Sequence, residues 1–147
     1  MKRLAQYKPV PECACSDCVG ACEQEPGWFA PGEVAKLAEH LGLSAQETFE
    51  KYLVVDWWVA SPYVYVLAPG LVGEPTGTMA PSWLDGRCVF LAEGKCSIHE
   101  VKPAECRLAG HRKDKGWLHE SMADAWNNED AQREALDLLN SEQRKIA

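Results

Sequence analysis

No apolar run in the 147 residues approaches the roughly 20 needed to cross a bilayer, and no lipidation signature is present, so a membrane partner is not expected. Positive charge is short as well. Fifteen Lys and Arg stand against 22 Asp and Glu, a net charge of −7, which is the wrong sign for holding nucleic acid by phosphate neutralisation. No apolar h-region follows Met1-Lys2-Arg3, so a cytoplasmic location is expected. Gly-rich nucleotide loops and a nucleophile elbow are missing, and the radical-SAM spacing C-x3-C-x2-C is absent because Cys15, Cys18 and Cys22 run in the reverse order. These gaps weigh against an enzyme without deciding the matter. No composition break divides the chain, and its length and 46% hydrophobic content suit one core, so residues 1–147 are read as a single cysteine-cluster metal-binding domain.

What is present is cysteine, seven in all. Cys13, Cys15, Cys18 and Cys22 form a C-x-C-x2-C-x3-C knot, and Cys88, Cys96 and Cys106 follow far downstream as C-x7-C-x9-C. Zinc and iron–sulfur clusters both require several thiolates within a few Å of one another, and short spacings bring them together at little loop-closure cost. All seven are therefore candidate metal ligands. Three other readings compete. Cysteine is a good small core residue, although seven such positions are too many for packing alone. Disulfides suit small secreted chains, but the count is odd and no apolar h-region follows Met1-Lys2-Arg3. A thioredoxin-like C-x-x-C at Cys15 and Cys18 needs a strand before it and a helix after it, whereas Pro9, Pro11 and Gly20 indicate a loop.

After the knot, Glu25-Pro26-Gly27 signals a turn, and Trp28-Phe29 either covers the metal loops or belongs to the core. Pro31 can open a helix in which Val34, Leu37, Ala38 and Leu41 share a face and which Gly42 stops. Ser44-Ala-Gln-Glu47 is a capping box for a second helix from about Ala45 to Leu53. Val54–Val59 and Tyr63–Leu67 read as strands of a small sheet, with the tandem Trp57-Trp58 assigned to the core. The Pro- and Gly-rich stretch 68–86 is too long to stay irregular unless something ties it down, for which a nearby metal site would serve. A hairpin around Glu93-Gly94 places Cys88 and Cys96 on its two arms, close across the turn. Pro103 opens a short helix with Cys106 in or near its first turn, where unpaired N–H groups favour a thiolate, and Lys102 and Arg107 add positive charge. The carboxy-terminal stretch is helical in two pieces with a cap at Asn127-Asn128. The expected fold is mainly α with a small β-hairpin or sheet, a compact single domain stapled by a Cys metal cluster.

The knot followed by Pro26-Gly27-Trp28-Phe29, the helix from Pro31 to Gly42, and above all Cys88-x7-Cys96-Ser-Ile-His-Glu-Val-Lys-Pro103-Ala-Glu-Cys106-Arg107 resemble the YkgJ-type CxxCxxCC cysteine-cluster family of zinc- or iron-chelating proteins. The resemblance spans roughly Cys13 to Arg107. It implies a small cytoplasmic protein with clustered Cys ligands for iron–sulfur or zinc. Related clusters occur in flagellin lysine methylases. The family's pattern ends in adjacent cysteines, whereas Gly20-Ala21 precede a lone Cys22 here and Cys13 is an extra upstream thiol.

Ligand number does not separate the metals, since one zinc site and one 4Fe-4S cluster each need four ligands. The all-thiol donor set and the resemblance together favour an iron–sulfur cluster, 4Fe-4S, with zinc as the alternative. His99 and His111 are the nearest non-thiol donors and are read as secondary or surface groups. Two function classes follow: a metal-binding module for electron transfer, sensing or metal handling, and a protein-modifying enzyme or accessory subunit akin to the lysine methylases. The missing enzyme motifs favour the module.

Overall fold

The computed structural model describes residues 26–59, 62–80, 86–93, 95–109 and 115–139. Its first helix, α1 (Glu33–Leu41), begins two residues after Pro31. Gly32, in the left-handed region at φ 85°, makes the turn into it, and its N–H is taken by the Glu134 carboxylate at 2.9 and 3.1 Å. Val34, Leu37 and Ala38 are buried, as their spacing requires, and Gly42 at φ 70° closes the helix. Helix α2 (Ala45–Tyr52) carries the expected capping box: Glu47 N donates to Ser44 Oγ at 3.1 Å while Ser44 N donates to Glu47 Oε1 at 3.2 Å.

From α2 the chain enters the sheet without a loop. Strand β1 (Leu53–Trp58) pairs antiparallel with β2 (Val64–Pro69), setting Val55 opposite Leu67 and Asp56 opposite Val66. Successive side chains of a strand face opposite ways, so the burial of Leu53, Val54, Val55 and Asp56 in a row means that both faces of β1 are covered. Strand β3 (Thr78–Met79) pairs parallel to β1 on its other side, giving the order β2-β1-β3. The Pro- and Gly-rich segment is tied down, over residues 70–80, by backbone bonds: Gly70 N to Tyr52 O at 2.7 Å, Gly77 N to Leu53 O at 2.7 Å and Ala80 N to Val55 O at 2.8 Å. Gly77, at φ 71°, has no room for a side chain, because a Cβ would lie 2.7 Å from Glu50 Cα.

A two-stranded hairpin follows, β4 (Leu91–Ala92) with β5 (Lys95–Cys96), turning through Glu93 at φ 51°. A 3-10 turn (His99–Val101) leads to α3 (Ala104–Ala109), then α4 (Lys115–Trp126) and α5 (Glu129–Leu136). The break between the last two falls at Asn128, whose Oδ1 accepts from Ala131 N at 2.9 Å. Both α4 and α5 pack on β2, and α5 also finishes its outer edge. The Gln132 carboxamide accepts from Tyr65 N and donates to Tyr65 O, each at 2.9 Å, acting as a one-residue strand partner. Two residues further along that edge, Phe29 N donates to Leu67 O at 2.9 Å.

The expected architecture, mainly α with a small hairpin or sheet and stapled by a Cys metal cluster, is therefore corrected. The described residues are roughly 43% helical and 20% strand, an α+β arrangement around a central mixed sheet. The physical reason is the run from Leu53 to Asp56: a strand buried on both faces must sit inside the fold, with helices packed around it. What holds these elements is apolar packing among Phe29, Leu37, Phe49, Leu53, Val55, Leu67, Met122 and Trp126, all fully buried. Among the described residues no three His, Cys, Asp or Glu side chains converge as a metal site. No helix of the described residues is long and apolar enough to cross a membrane. Trp57 and Trp58 are each half-buried against the core's margin.

Candidate metal centre

Cys13, Cys15, Cys18 and Cys22 lie outside the described residues, as does His111. The three downstream cysteines stand on three separate stretches of the chain. Cys88 is buried in an isolated antiparallel bridge with Leu71, fixed by Val72 N to Arg87 O and Val89 N to Gly70 O, both 2.9 Å. Cys96 is half-buried on β5 and faces Leu91 across the hairpin. The residue directly opposite Cys96 in this register is Leu91 and not Cys88. Cys88 lies three residues before Leu91, and the chain bends between them, with Leu91 N donating to Cys88 O at 3.0 Å. Burial pushes the Cys96 thiol above its ordinary value of 9.0, and the Ile98 backbone hydrogen bond and the Lys102 charge offset this only in part.

Cys106 is half-buried in the first turn of α3, where the motif places it. Its neighbour is the surprise. A Cβ built on Gly27 would stand 2.7 Å from Cys106 Sγ, 3.0 Å from Cys106 N and 3.2 Å from Glu105 Cβ. The glycine five residues after Cys22 therefore leaves a space beside the Cys106 sulfur that any other residue would fill. The segment that leaves the knot passes directly over the helix carrying the last cysteine.

Several groups that the sequence does not single out hold it there. Glu105 N donates to Trp28 O at 3.2 Å, and Trp28 N donates back to Glu105 Oε1 at 3.0 Å, closing a reciprocal pair across 77 residues. The other carboxylate oxygen, Oε2, lies 2.6 Å from His119 Nδ1 on α4. With Glu105 as carboxylate, that ring nitrogen carries the proton and donates. The His119 ring packs against the Trp28 indole at 3.6 Å between centroids, tilted by 35°, and Trp58 meets both rings edge-on. Trp28 Nε1 donates to Asp56 Oδ2 at 2.9 Å, while Asp56 Oδ1 accepts from Trp57 N at 2.8 Å. Burial raises the Asp56 carboxyl above its usual range, and its two hydrogen bonds, from Trp57 and Trp28, pull the other way. Glu33 caps α3 from α1, its Oε1 accepting from Ala104 N at 2.9 Å and Ala30 N at 2.7 Å.

Two of these groups had signals in the sequence. Asp56 is a lone acid in an apolar run, a pattern that demands a partner, and Glu105 sits beside a cysteine of the most specific motif. His119 had none.

The donor chemistry of the cysteines fits a soft, thiolate-bound metal, and the backbone at Gly27 packs closely against the Cys106 sulfur. No curated protein and no solved structure matches the chain. The model of one family matches residues 14–131, beginning just after Cys13 and taking in the other six cysteines. With most of its length matched, the chain belongs to the CxxCxxCC family, described as "Putative zinc- or iron-chelating domain".

Proposed function

We propose that this protein is a metal-binding module in which thiols of the amino-terminal knot and of the downstream set share a cysteine-ligated iron–sulfur cluster, with zinc as the alternative. Cys15, Cys18, Cys22, Cys88, Cys96 and Cys106 are the candidate ligands, and Cys13 is a peripheral one. The observation that carries the reading is the packing of Gly27 on Cys106. Gly27 follows Cys22 by only five steps of the chain, so the covalent chain keeps the end of the knot within about 17 Å of Gly27, which packs on the Cys106 helix. A thiol set dominated by sulfur supports iron–sulfur over harder ions. The module acts in electron transfer, sensing or metal handling in the cytoplasm. Because the Cys96 thiol holds its proton more tightly than usual, metal uptake there releases that proton and strengthens with rising pH.

Protein purified without oxygen tests this directly. It is expected to be brown, with iron and sulfide in similar amounts. Colourless protein with stoichiometric zinc replaces the iron–sulfur reading by zinc, and protein with neither metal ends both.

A further inference from the structure

The geometry points to Glu105 as a positioning residue for the metal centre, acting with His119 to fix the knot's exit segment against Cys106; this inference rests on the metal-binding reading above. Glu105 makes three connections at once. Its backbone N–H and Oε1 clamp both backbone polar groups of Trp28, and Oε2 engages His119 Nδ1 at 2.6 Å. Three parts of the chain distant in sequence, the exit segment, α3 and α4, therefore meet on one carboxylate that is itself buried. Gly27 and Cys106 are the immediate neighbours of the clamped pair, so the spacing between the exit segment and the Cys106 sulfur is set by the clamp.

Trp28 is already anchored through Nε1 to Asp56 and through its buried ring, so the second, backbone anchor adds little to holding the indole and much to fixing the path of residues 26–28. The His119 ring, stacked on that indole, keeps the carboxylate from rotating away. Outer partners of this kind orient ligands, and their loss typically lowers metal affinity 10–100-fold.

The test is chelator competition on the full chain loaded with cobalt(II) or zinc, with the cobalt–thiolate absorption band as a second readout. Glu105→Ala is expected to weaken metal binding 10–100-fold and to shift the cobalt band, with helical circular dichroism retained. Glu105→Gln keeps the shape and an acceptor for Trp28 N, and its amide can donate to the other tautomer of His119. It should recover most of the affinity and remains informative if the alanine variant does not fold. Because His119 and Glu105 act as one unit, His119→Ala added to Glu105→Ala should cost little more. Phe49→Leu, a packing change on α2, is the control for a general loss of stability. Wild-type affinity and an unshifted band in Glu105→Ala overturn the inference, and so does an equal loss in Phe49→Leu. A wild-type chain that takes up no metal fails the underlying reading instead, a result distinct from both.

Discussion

Gly27 and Cys106 compete for one small space: a Cβ at position 27 would lie 2.7 Å from the Cys106 sulfur. Cys106 Sγ and the backbone N behind it cannot both give way cheaply. Gly27→Ala is therefore expected to cost about 1–3 kcal/mol of stability, as overpacking usually does. It should also lower the metal-to-protein ratio of purified protein. A variant with unchanged melting temperature and metal content would show that this contact does not matter.

Cys106 and Cys13 are expected to behave differently. Replacing Cys106 with Ser should remove most of the bound metal, because a hydroxyl cannot stand in for a thiolate as a soft ligand. Cys13, just before the residues matched by the family, should matter less. Metal analysis of single Ser variants at all seven cysteines decides it, and a loss at Cys13 as severe as at Cys106 would make the upstream thiol a full ligand.

Stripping the metal with a chelator is expected to leave the helical and sheet signals largely in place, since the core from Phe29 to Trp126 is apolar and needs no metal to pack. Circular dichroism before and after chelation measures this. Collapse of the spectrum to that of an unfolded chain would refute it.

Gln132 holds the outer edge of β2 through two hydrogen bonds to Tyr65 and donates a third to Trp126 O, at the end of α4, at 2.7 Å. Gln132→Ala leaves the Tyr65 backbone groups without these partners and is expected to cost about 1–3 kcal/mol. Gln132→Glu should be no better, because a carboxylate cannot donate to the two carbonyls. Denaturant midpoints and amide exchange at Tyr65 report the effect. A destabilisation well under 1 kcal/mol in both variants would mean that water replaces the side chain there.

Asp56 sets a pH dependence. Its carboxyl is raised by burial above the ordinary 3.8, so the folded state favours the protonated form. The sign follows: this contribution to stability is fully present below 3.8 and is lost as pH rises through the folded value. Asp56→Asn keeps an acceptor for Trp28 Nε1 and has nothing to titrate. Its stability should gain on wild type between about pH 3 and neutrality, read from denaturant midpoints across that range. Parallel curves for the two proteins would contradict the raised carboxyl.

The parts of the fold that are legible in the sequence are local. The capping box at Ser44 and Glu47, the Gly42 stop, the turn at Glu93 and the Asn128 cap each depend on residues a few positions apart, and each stands where its spacing puts it. The parallel strand at Thr78–Met79 is not legible, because two residues carry no periodicity and its pairing is set by β1. The hairpin signal placed the turn but not the neighbours of Cys88, whose partner Leu71 comes from the preceding Gly-rich segment. At the candidate site the cysteine of α3 was readable from its motif. The clamp of Glu105 on Trp28 and His119 was not, since it joins groups 77 and 14 residues apart and leaves no spacing to detect.

The bond from Trp126 Nε1 to Phe29 O, 2.7 Å long, joins residues 97 positions apart. Synthesis at about 5–20 residues per second puts roughly 5 to 20 s between the two emerging from a ribosome. For most of that interval the exit segment has neither Trp126 nor Glu105 to dock on. Its docking thus waits until α3 and α4 have been made, so the clamp beside Cys106 closes long after the segment it holds has left the ribosome.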